Sequence, residues 1–258
     1  MATVTPALWR RWGPWALGLV GALAALGLQT QLYTGQVRTV ATIFMFVALA
    51  LSWNLIGGYT GYASFGQVVF FGLGGYFAAV TMTHLHWSFW VALPLAGLAA
   101  AAYAVVIGIP LLRLRGHYFA IATLGVAEGT REVVINLDGL TGGGGGITVP
   151  TVGAAAATKY LGNDGFYLVY LALAVLALLI TGLVSRSKFG FAMRAIHQDE
   201  DAAAAVGINT TRTKVLTFAL SGLLTGLVGA TYAFQQVTIY PERLFDVEIT
   251  VLMVVMVV

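Results

Sequence analysis

The chain has 258 residues, of which 59% are hydrophobic and only 9% are charged, and its mean hydropathy is +0.87. Soluble domains carry roughly a quarter charged residues, so this composition excludes an ordinary soluble enzyme and predicts an all-α polytopic membrane protein. The net charge of +3 is better explained by topology signals on loops than by nucleic acid, and we expect no nucleic-acid partner. The absence of cysteine excludes disulfides and thiolate metal sites.

Apolar segments of membrane-spanning length recur along the chain. A transmembrane helix needs about twenty largely apolar residues. We therefore expect a helical bundle with seven complete spans and the start of an eighth, at about 14–32, 38–57, 63–83, 89–112, 117–137, 166–184, 213–234 and 248–258. Because the last run covers roughly half a membrane, the sequence predicts one membrane domain over 1–258 that is incomplete at its C-terminus.

The basic residues indicate how the chain is threaded. With a cytoplasmic N-terminus, nine basic residues lie on the cytoplasmic side and three lie outside, which the positive-inside rule favours. The nine are Arg10, Arg11, Arg113, Arg115, Arg186, Lys188, Arg194, Arg212 and Lys214, and the three are Arg38, Lys159 and Arg243. Arg131 remains within a span.

A glycine- and hydroxyl-rich passage without charge, residues 57–67, joins the second and third spans. It is consistent with a simple turn at the membrane surface. It is equally consistent with a broken helix whose freed backbone groups face a watery cavity, since irregular backbone at membrane depth needs protein or water to satisfy it.

Small residues at helical spacing predict where helices pack closely. The third span carries Gly72, Gly74, Gly75 and Ala79, and the seventh carries a GxxxG-type ridge that starts at Gly222. We expect the third span to lie inside the bundle, and we expect the ridge of the seventh, which continues directly from the polar stretch before it, to move with that stretch.

The fifth span differs from the others because it carries Glu128, Arg131 and Glu132. Glu128 and Arg131 are three residues apart, so they can pair on one helix face. Charges here should face the bundle, a cavity or the outer interface, either as a structural ion pair or as a substrate contact.

Five consecutive glycines, residues 142–146, follow this span on the outer side. Glycine adopts almost any backbone angle, so we expect a pliable loop. A phosphate-binding role is not expected, because no Gly-Lys-Ser/Thr follows.

The longest polar stretch, residues 185–214, has the pattern helix, break, helix. Phe189, Met193 and Ile196 form an apolar ridge at helical spacing, and the density of charge predicts that the whole stretch lies in water. It is either a solvated connector or an ordered cytoplasmic docking surface.

The second helix of this stretch has clear end signals. Asp199 is expected to cap its start, and Gly207 is expected to end it in a left-handed conformation. Asn209 is positioned to cap the membrane helix that follows.

Motifs for chemistry within this chain are missing from the sequence. It has no GxxxxGK[ST], HExxH or Ser-His-Asp pattern, so we expect no catalytic residues, cofactor or metal in the chain itself. His84 and His86 are interpreted as interfacial residues rather than metal ligands.

Four ordered motifs carry a family resemblance. They are NLIGGYTGYASFGQVVFFGLGGYFAA (54–79), LRLRGHYFAIATLGVAEGTREVV (112–134), LTGGGGGI (140–147) and SKFGFAMRAIHQDEDAAAAVGINTTRTKVLTFALSGLLTGLVGATYA (187–233). Together they resemble the inner-membrane permease of branched-chain amino acid ABC importers, the LivM type. The chain departs from many relatives at Phe65 and Gln67, where leucine and histidine are usual.

The resemblance implies a coupling loop that engages the ATPase subunits. Its matched and neighbouring residues here are Phe189, Gly190, Arg194, Ala195, Ile196, Asp199, Glu200, Ala203, Gly207 and Asn209. It also implies a multi-pass protein of the cytoplasmic membrane, in contact with lipid, that pairs with a second homologous permease. Two ABC ATPases would bind ATP and Mg, and an extracytoplasmic binding protein would deliver the substrate.

An aliphatic amino acid needs an apolar wall and a few polar groups, for which the candidates are Ser64, Gln67, Thr123 and Glu128. Three alternatives stay open: a permease for urea or short-chain amides, an ion-coupled secondary transporter, and a structural membrane subunit without a conduction path.

Overall fold

Long helices make up most of the computed structural model, which describes residues 21, 25–27, 33–151 and 158–258. The helices are α1 (Thr34–Thr60), α2 (Gln67–His84), α3 (Phe89–Leu111), α4 (His117–Asn136), α5 (Asp138–Thr141), α6 (Gly162–Arg186), α7 (Lys188–Gln198), α8 (Glu200–Ala205), α9 (Thr210–Gln236), α10 (Pro241–Leu244) and α11 (Val247–Val257). Two short strands, β1 (Ile147–Thr148) and β2 (Thr238–Ile239), complete the fold.

The helices lie where the apolar segments predict, with one shifted start. The third segment becomes helical at Gln67 rather than at residue 63, because residues 61–66 form an irregular connection. The predicted first span, 14–32, falls almost wholly outside the described residues.

Within the described ranges, four helices are long and apolar enough to cross a membrane: α1, α3, α6 and α9. Together with the all-α fold, they make this a multi-pass membrane protein, although the expected total of seven spans is not confirmed. The helix α4 has the length of a span but carries three charged residues, and α2 is rich in glycine.

Helix α9 lies at the centre of the bundle, packed against α1, α2 and α3. A Cβ atom at Gly74 of α2 would overlap the backbone of Gly226 in α9, and a Cβ at Gly226 would overlap Ala100 of α3. The predicted small-residue faces are therefore confirmed. They allow three backbones to approach so closely that any larger side chain would push the helices apart.

At one end of the bundle, β1 and β2 pair antiparallel, with Ile147 opposite Ile239. The glycine run before β1 is a short 3-10 turn, and a side chain at Gly146 would overlap the carbonyl oxygen of Ile239. The expectation of a pliable loop is wrong, because Gly142 and Gly146 have φ near +72° and +75° and let the chain turn tightly into the strand. Residues 152–157 of the same loop lie outside the described residues.

At the opposite end, α7 and α8 form a compact pair between α6 and α9. We call residues 188–205 the platform.

Candidate functional site

Side-chain caps define the ends of the platform helices. Ser187 Oγ accepts a hydrogen bond from Gly190 N at 3.2 Å, and Asp199 Oδ1 accepts from the backbone nitrogens of Asp201 and Ala202, each at 2.9 Å. Each cap satisfies helix donors that otherwise lack a partner. The predicted cap at Asp199 is confirmed.

The exit from the platform also follows the sequence pattern. Gly207 ends the second platform helix with φ of +90°, in the left-handed region that favours glycine. Asn209 Oδ1 accepts from Arg212 N at 2.9 Å and caps α9. Both predictions are confirmed, so the chain enters the bundle at a fixed angle.

One face of the platform packs against the bundle. Met193 and Ile196 are buried, and a Cβ atom at Gly190 would overlap the carbonyl oxygen of Val184, so α7 folds back tightly on the end of α6. Arg194 donates to Ser185 O at 2.9 Å, which fixes its position beside the helix. Phe189 packs in the same hydrophobic cluster as Met193, whereas Ala195 and Ala203 pack in the cluster of Ile196.

A buried lysine connects the platform to the bundle. Lys214 in α9 is only 3% exposed, and its ammonium donates to Glu200 Oε1 at 2.6 Å, Leu112 O at 2.7 Å and Tyr62 OH at 2.9 Å. The Tyr62 hydroxyl in turn donates to Glu200 Oε2. All three ammonium protons and both carboxylate oxygens are therefore satisfied. We call Tyr62, Glu200 and Lys214 the charged joint.

The electrostatics of the joint follow from this geometry. Burial alone would raise the pKa of the Glu200 carboxyl, but hydrogen bonds from Lys214 and Tyr62 and the nearby positive charges lower it. Burial, together with the hydrogen bond to Glu200, raises the pKa of the Tyr62 hydroxyl. Glu200 is therefore held ionised and Tyr62 neutral, which is the protonation pattern that the hydrogen bonds require.

An exposed ion pair flanks the joint. Arg115, in the connection between α3 and α4, donates to both carboxylate oxygens of Asp201 at 2.8 and 3.0 Å. This bidentate hydrogen bonding lowers the pKa of the Asp201 carboxyl. Because both side chains are exposed to solvent, this ion pair contributes little to the stability of the fold. Its main effect is to orient the platform.

The joint and the Leu112 carbonyl that accepts from it bring together four separate parts of the chain. Tyr62 follows α1, the Leu112 carbonyl ends α3, Glu200 starts α8 and Lys214 lies in the first turns of α9. The expectation that every charge of residues 185–214 lies in water is wrong for Lys214, because a tyrosine, a carboxylate and a backbone carbonyl replace its water shell.

The connection that contains Tyr62, residues 61–66, is held by the protein itself. Ser64 O accepts from the Trp53 indole at 2.8 Å, and Phe65 N donates to Thr123 Oγ1 at 3.1 Å. Its freed backbone groups thus bond to side chains, which favours the turn over a broken helix that faces a cavity.

A second buried polar cluster begins at the end of this connection. The Gln67 amide nitrogen donates to Ser221 Oγ and, at 3.3 Å, to Thr225 Oγ1. Ser52 Oγ lies 3.0 Å from Thr225 Oγ1. We call Ser52, Gln67, Ser221 and Thr225 the hydroxyl cluster, and all four are fully buried.

The hydroxyl protons fix the orientation of the Gln67 amide. Ser221 Oγ donates to Ser52 O at 2.5 Å and Thr225 Oγ1 donates to Ser221 O at 2.9 Å, so both oxygens accept from the amide nitrogen. Among the residues that the structure describes, the carbonyl oxygen of Gln67 has no hydrogen-bond partner, and neither has the buried hydroxyl of Ser64.

The four candidate path residues do not form one group. Ser64, Gln67 and Thr123 are buried around the start of α2, where a Cβ atom at Gly66 would overlap the Thr123 carbonyl. Glu128 lies apart on an exposed face of α4 and pairs with Arg131 at 2.9 Å, as its spacing predicted.

Comparison with known proteins decides the family. Residues 35–258 match the family described as "Branched-chain amino acid transport system / permease component". The chain belongs to this family. Within the described part of the permease, no group of three or more histidine, aspartate or glutamate side chains is arranged to hold a metal ion.

Three curated relatives of the permease align with about four-fifths of the chain. The high-affinity branched-chain amino acid transport system permease protein LivM of Salmonella typhimurium is 33% identical over 81% of this chain and 54% of its own length. The Escherichia coli protein of the same name is 32% identical over 79% of this chain and 53% of its own length. The probable branched-chain amino acid transport permease protein LivM of Methanocaldococcus jannaschii is 22% identical over 80% of this chain and 69% of its own length.

The permease spans about half the length of the first two relatives. No solved structure matches it.

Sequence reasoning missed several residues of the two buried polar regions of this permease. Lys214 was counted as a topology signal, although its place in the first turns of a membrane helix, 14 residues after Glu200, was a usable sign of a buried pair. No sequence pattern pointed to the other members. A serine or threonine hydroxyl in a helix commonly bonds its own backbone and needs no remote partner, so Ser52, Ser221 and Thr225 gave no signal. Tyr62 likewise gave no signal.

Proposed function

We propose that this permease is the membrane subunit of an ATP-driven importer that carries branched-chain amino acids across the cytoplasmic membrane by alternating access. Membership of a transport permease family and the names of its curated relatives support the substrate class. The observation that carries the mechanism is the charged joint, because it ties a polar platform to the centre of an apolar bundle.

In this proposal two ATPase subunits, with ATP and Mg, bind the platform from the cytoplasm. The ten coupling residues named above form or support that surface. An open cavity of about 290 Å³ lies beside it and is lined by Gly61, Arg115, His197 and Glu200, among others, so a partner side chain has room to insert.

Movement of the platform would reach the bundle through the charged joint. Separating Glu200 from Lys214 would leave a buried charge unpaired at a cost of about 3–5 kcal/mol, so the joint moves more easily as a unit than it breaks. Lys214 would pass the movement to α9, of which it is part. Tyr62 would pass it to the rest of the connection 61–66.

Residues 61–66 lead directly to the proposed substrate path. Ser64 and Gln67 each have a buried polar atom that no described residue bonds, and Thr123 lies beside them. An extracytoplasmic binding protein would deliver the amino acid, and a second homologous permease would complete the path near Glu128.

A valine at position 207 tests the coupling. Gly207 has φ of +90° and open space around its Cβ position, so Gly207→Val strains the backbone without any steric clash. We expect ATP-dependent uptake of labelled leucine to be lost in proteoliposomes with the partner subunits, while basal ATP hydrolysis persists.

Gly139→Val is the matched control, because Gly139 also has open space but an ordinary φ. Unchanged uptake and unchanged substrate stimulation of the ATPase in Gly207→Val would contradict the coupling role of the platform.

The same preparation separates the alternatives. Labelled urea replaces leucine to test an amide permease, and an ion gradient without ATPase subunits tests an ion-coupled transporter. A structural subunit would leave Gln67→Cys unlabelled by water-soluble thiol reagents in every nucleotide state.

A further inference from the structure

A polar pocket lies where the platform meets the end of α1. It has a volume of about 390 Å³, and the described residues that line it are Asn54, Gly58, Tyr59, Arg194, His197 and Gln198. Five of these six residues have side chains with N–H or O–H donors. None of the six is acidic, whereas the neighbouring cavity at the charged joint is lined by Asp199, Glu200 and Asp201, among others. We call these six residues the donor pocket.

Arg194 gives the donor pocket a positive charge. No described carboxylate lies within ion-pair distance of this guanidinium. One of its N–H groups donates to Ser185 O at 2.9 Å, and the group lies 4.7 Å from the centre of the Phe191 ring. A guanidinium has several N–H donors, so most of them remain for a ligand. The two contacts already hold the side chain in place, which reduces the entropy that binding must cost.

The other donors of the pocket are also held in place and largely unused. His197 Nδ1 donates to Gly58 O at 2.9 Å, because a carbonyl oxygen can only accept. A Cβ atom at Gly58 would overlap the Asn54 amide oxygen, so glycine leaves room there for the amide. The side chains of Asn54, Tyr59 and Gln198 have no hydrogen-bond partner among the described residues. The pocket therefore offers several donors to one anionic group.

The donor pocket lies at the level where two membrane helices end. Both α1 and α6 are membrane-spanning candidates, and they end at Thr60 and Arg186. At 1.5 Å per residue, Tyr59 and Asn54 lie roughly 2 and 9 Å along α1 from its end. The headgroup layer on each side of the hydrocarbon is roughly 5–8 Å thick. The donors are therefore at the depth of lipid phosphate groups.

We propose that the donor pocket binds the phosphate of an anionic phospholipid. This inference goes beyond the proposed function and takes from it only that the platform faces the cytoplasm, where anionic lipids make the membrane surface negative. Basic pockets beside membrane helices on that side are suited to phospholipid headgroups. The Phe191 ring, which is 64% exposed beside Arg194, adds an apolar surface for an acyl chain. A free phosphate ion offers the same oxygens but has no apolar part.

The test measures lipid binding to the purified full chain in detergent and needs no transport. Phosphatidylglycerol is titrated, and the bound molecules are counted by native mass spectrometry. Phosphatidylcholine is the zwitterionic comparison and inorganic phosphate is the soluble one. We expect the chain to retain a single phosphatidylglycerol about tenfold more tightly than phosphatidylcholine, and we expect excess inorganic phosphate not to displace it.

Two variants and a control locate the bound lipid. Arg194→Gln removes the charge and Asn54→Leu removes an amide at nearly constant volume, so the affinity for phosphatidylglycerol should fall about tenfold and about threefold. Arg212→Gln is the control, because Arg212 is exposed at the same end of the bundle but lies outside the pocket. Its affinity should stay within about twofold of wild type. Circular dichroism verifies that each variant is folded.

A photoreactive residue identifies the occupant of the pocket directly. Benzoylphenylalanine is introduced at position 198, membranes of the expressing cells are irradiated, and the adduct is analysed by mass spectrometry. We expect a phospholipid adduct.

Four results would overturn the proposal. They are no retained phosphatidylglycerol, its displacement by inorganic phosphate, equal losses of affinity in Arg194→Gln and Arg212→Gln, and an adduct that joins position 198 to residues 1–32 of the chain itself or to another protein. Uptake and ATPase activity are not measured in this experiment, so its failure leaves the proposed function standing.

Discussion

The charged joint and the hydroxyl cluster are both buried, but they differ in how completely their hydrogen bonds are satisfied. In the joint, Lys214 uses all three protons and Glu200 uses both oxygens. Two buried oxygen atoms, Gln67 Oε1 in the cluster and Ser64 Oγ beside it, have no hydrogen-bond partner within the described part of the chain. A satisfied buried network fixes one arrangement, whereas spare polar capacity is where water or a ligand can bind. We therefore expect the joint to transmit force and the cluster to change partners.

The largest effect should come from breaking the ion pair. Lys214→Met leaves the Glu200 carboxylate largely buried without its ammonium, so we expect the free energy of unfolding to fall by about 3–5 kcal/mol. Thermal unfolding of the purified protein in detergent, followed by circular dichroism, measures this loss. The double variant Lys214→Met, Glu200→Gln should recover part of it, because no charge is then left unpaired. Wild-type thermal stability of Lys214→Met would show that the joint is not structural.

A smaller effect is expected from removing one hydroxyl of the joint. Tyr62→Phe deletes the group that accepts from Lys214 and donates to Glu200, and hydrogen bonds to charged groups are worth about 1.5–3 kcal/mol. Tyr76→Phe is the matched control, because the buried Tyr76 hydroxyl has no hydrogen-bond partner among the described residues and its loss should be neutral or stabilising. Equal destabilisation by both substitutions, in the same unfolding measurement, would contradict this difference.

The smallest effect on stability is expected in the hydroxyl cluster. In Gln67→Met, Ser221 and Thr225 keep their bonds to backbone carbonyls and the unpartnered amide oxygen disappears, so we expect a change within about 1 kcal/mol. We also expect leucine uptake to fall, because the free amide oxygen is the proposed substrate or water contact. A loss of stability as large as that of Lys214→Met would instead identify Gln67 as a structural support.

Much of the fold was predictable because membrane helices are set by local composition. The apolar segments located every long helix of the described chain, and Asp199, Gly207 and Asn209 set the ends of α8 and α9. The glycine run was misjudged, because the same freedom that permits a pliable loop also permits a tight turn. The pairing of β1 with β2 is what decides between a pliable loop and a tight turn. No sequence pattern within either two-residue strand predicts that pairing.

The sequence predicted the platform on the surface of the candidate site, but it did not predict the buried contacts beneath that platform. The ridge of Phe189, Met193 and Ile196 indicated an ordered platform. The joint beneath it was not foreseen, because Tyr62 lies 152 residues from Lys214 in sequence. Long-range contacts of this kind depend on how the helices cross.

The sequence by itself determined that this protein is a helical membrane permease with a polar, capped insertion between two spans. The length and hydropathy that make a membrane helix are properties of each segment by itself. A helix cap likewise forms from hydrogen bonds within a single turn. The tertiary structure alone decided which polar groups left water together. It buried Lys214 with Glu200 and Tyr62, left the Gln67 carbonyl without a partner among the described residues, and placed Glu128 on an exposed face of α4. The physical reason is that burial depends on the sum of neighbours around a side chain, and those neighbours come from helices far apart in the chain.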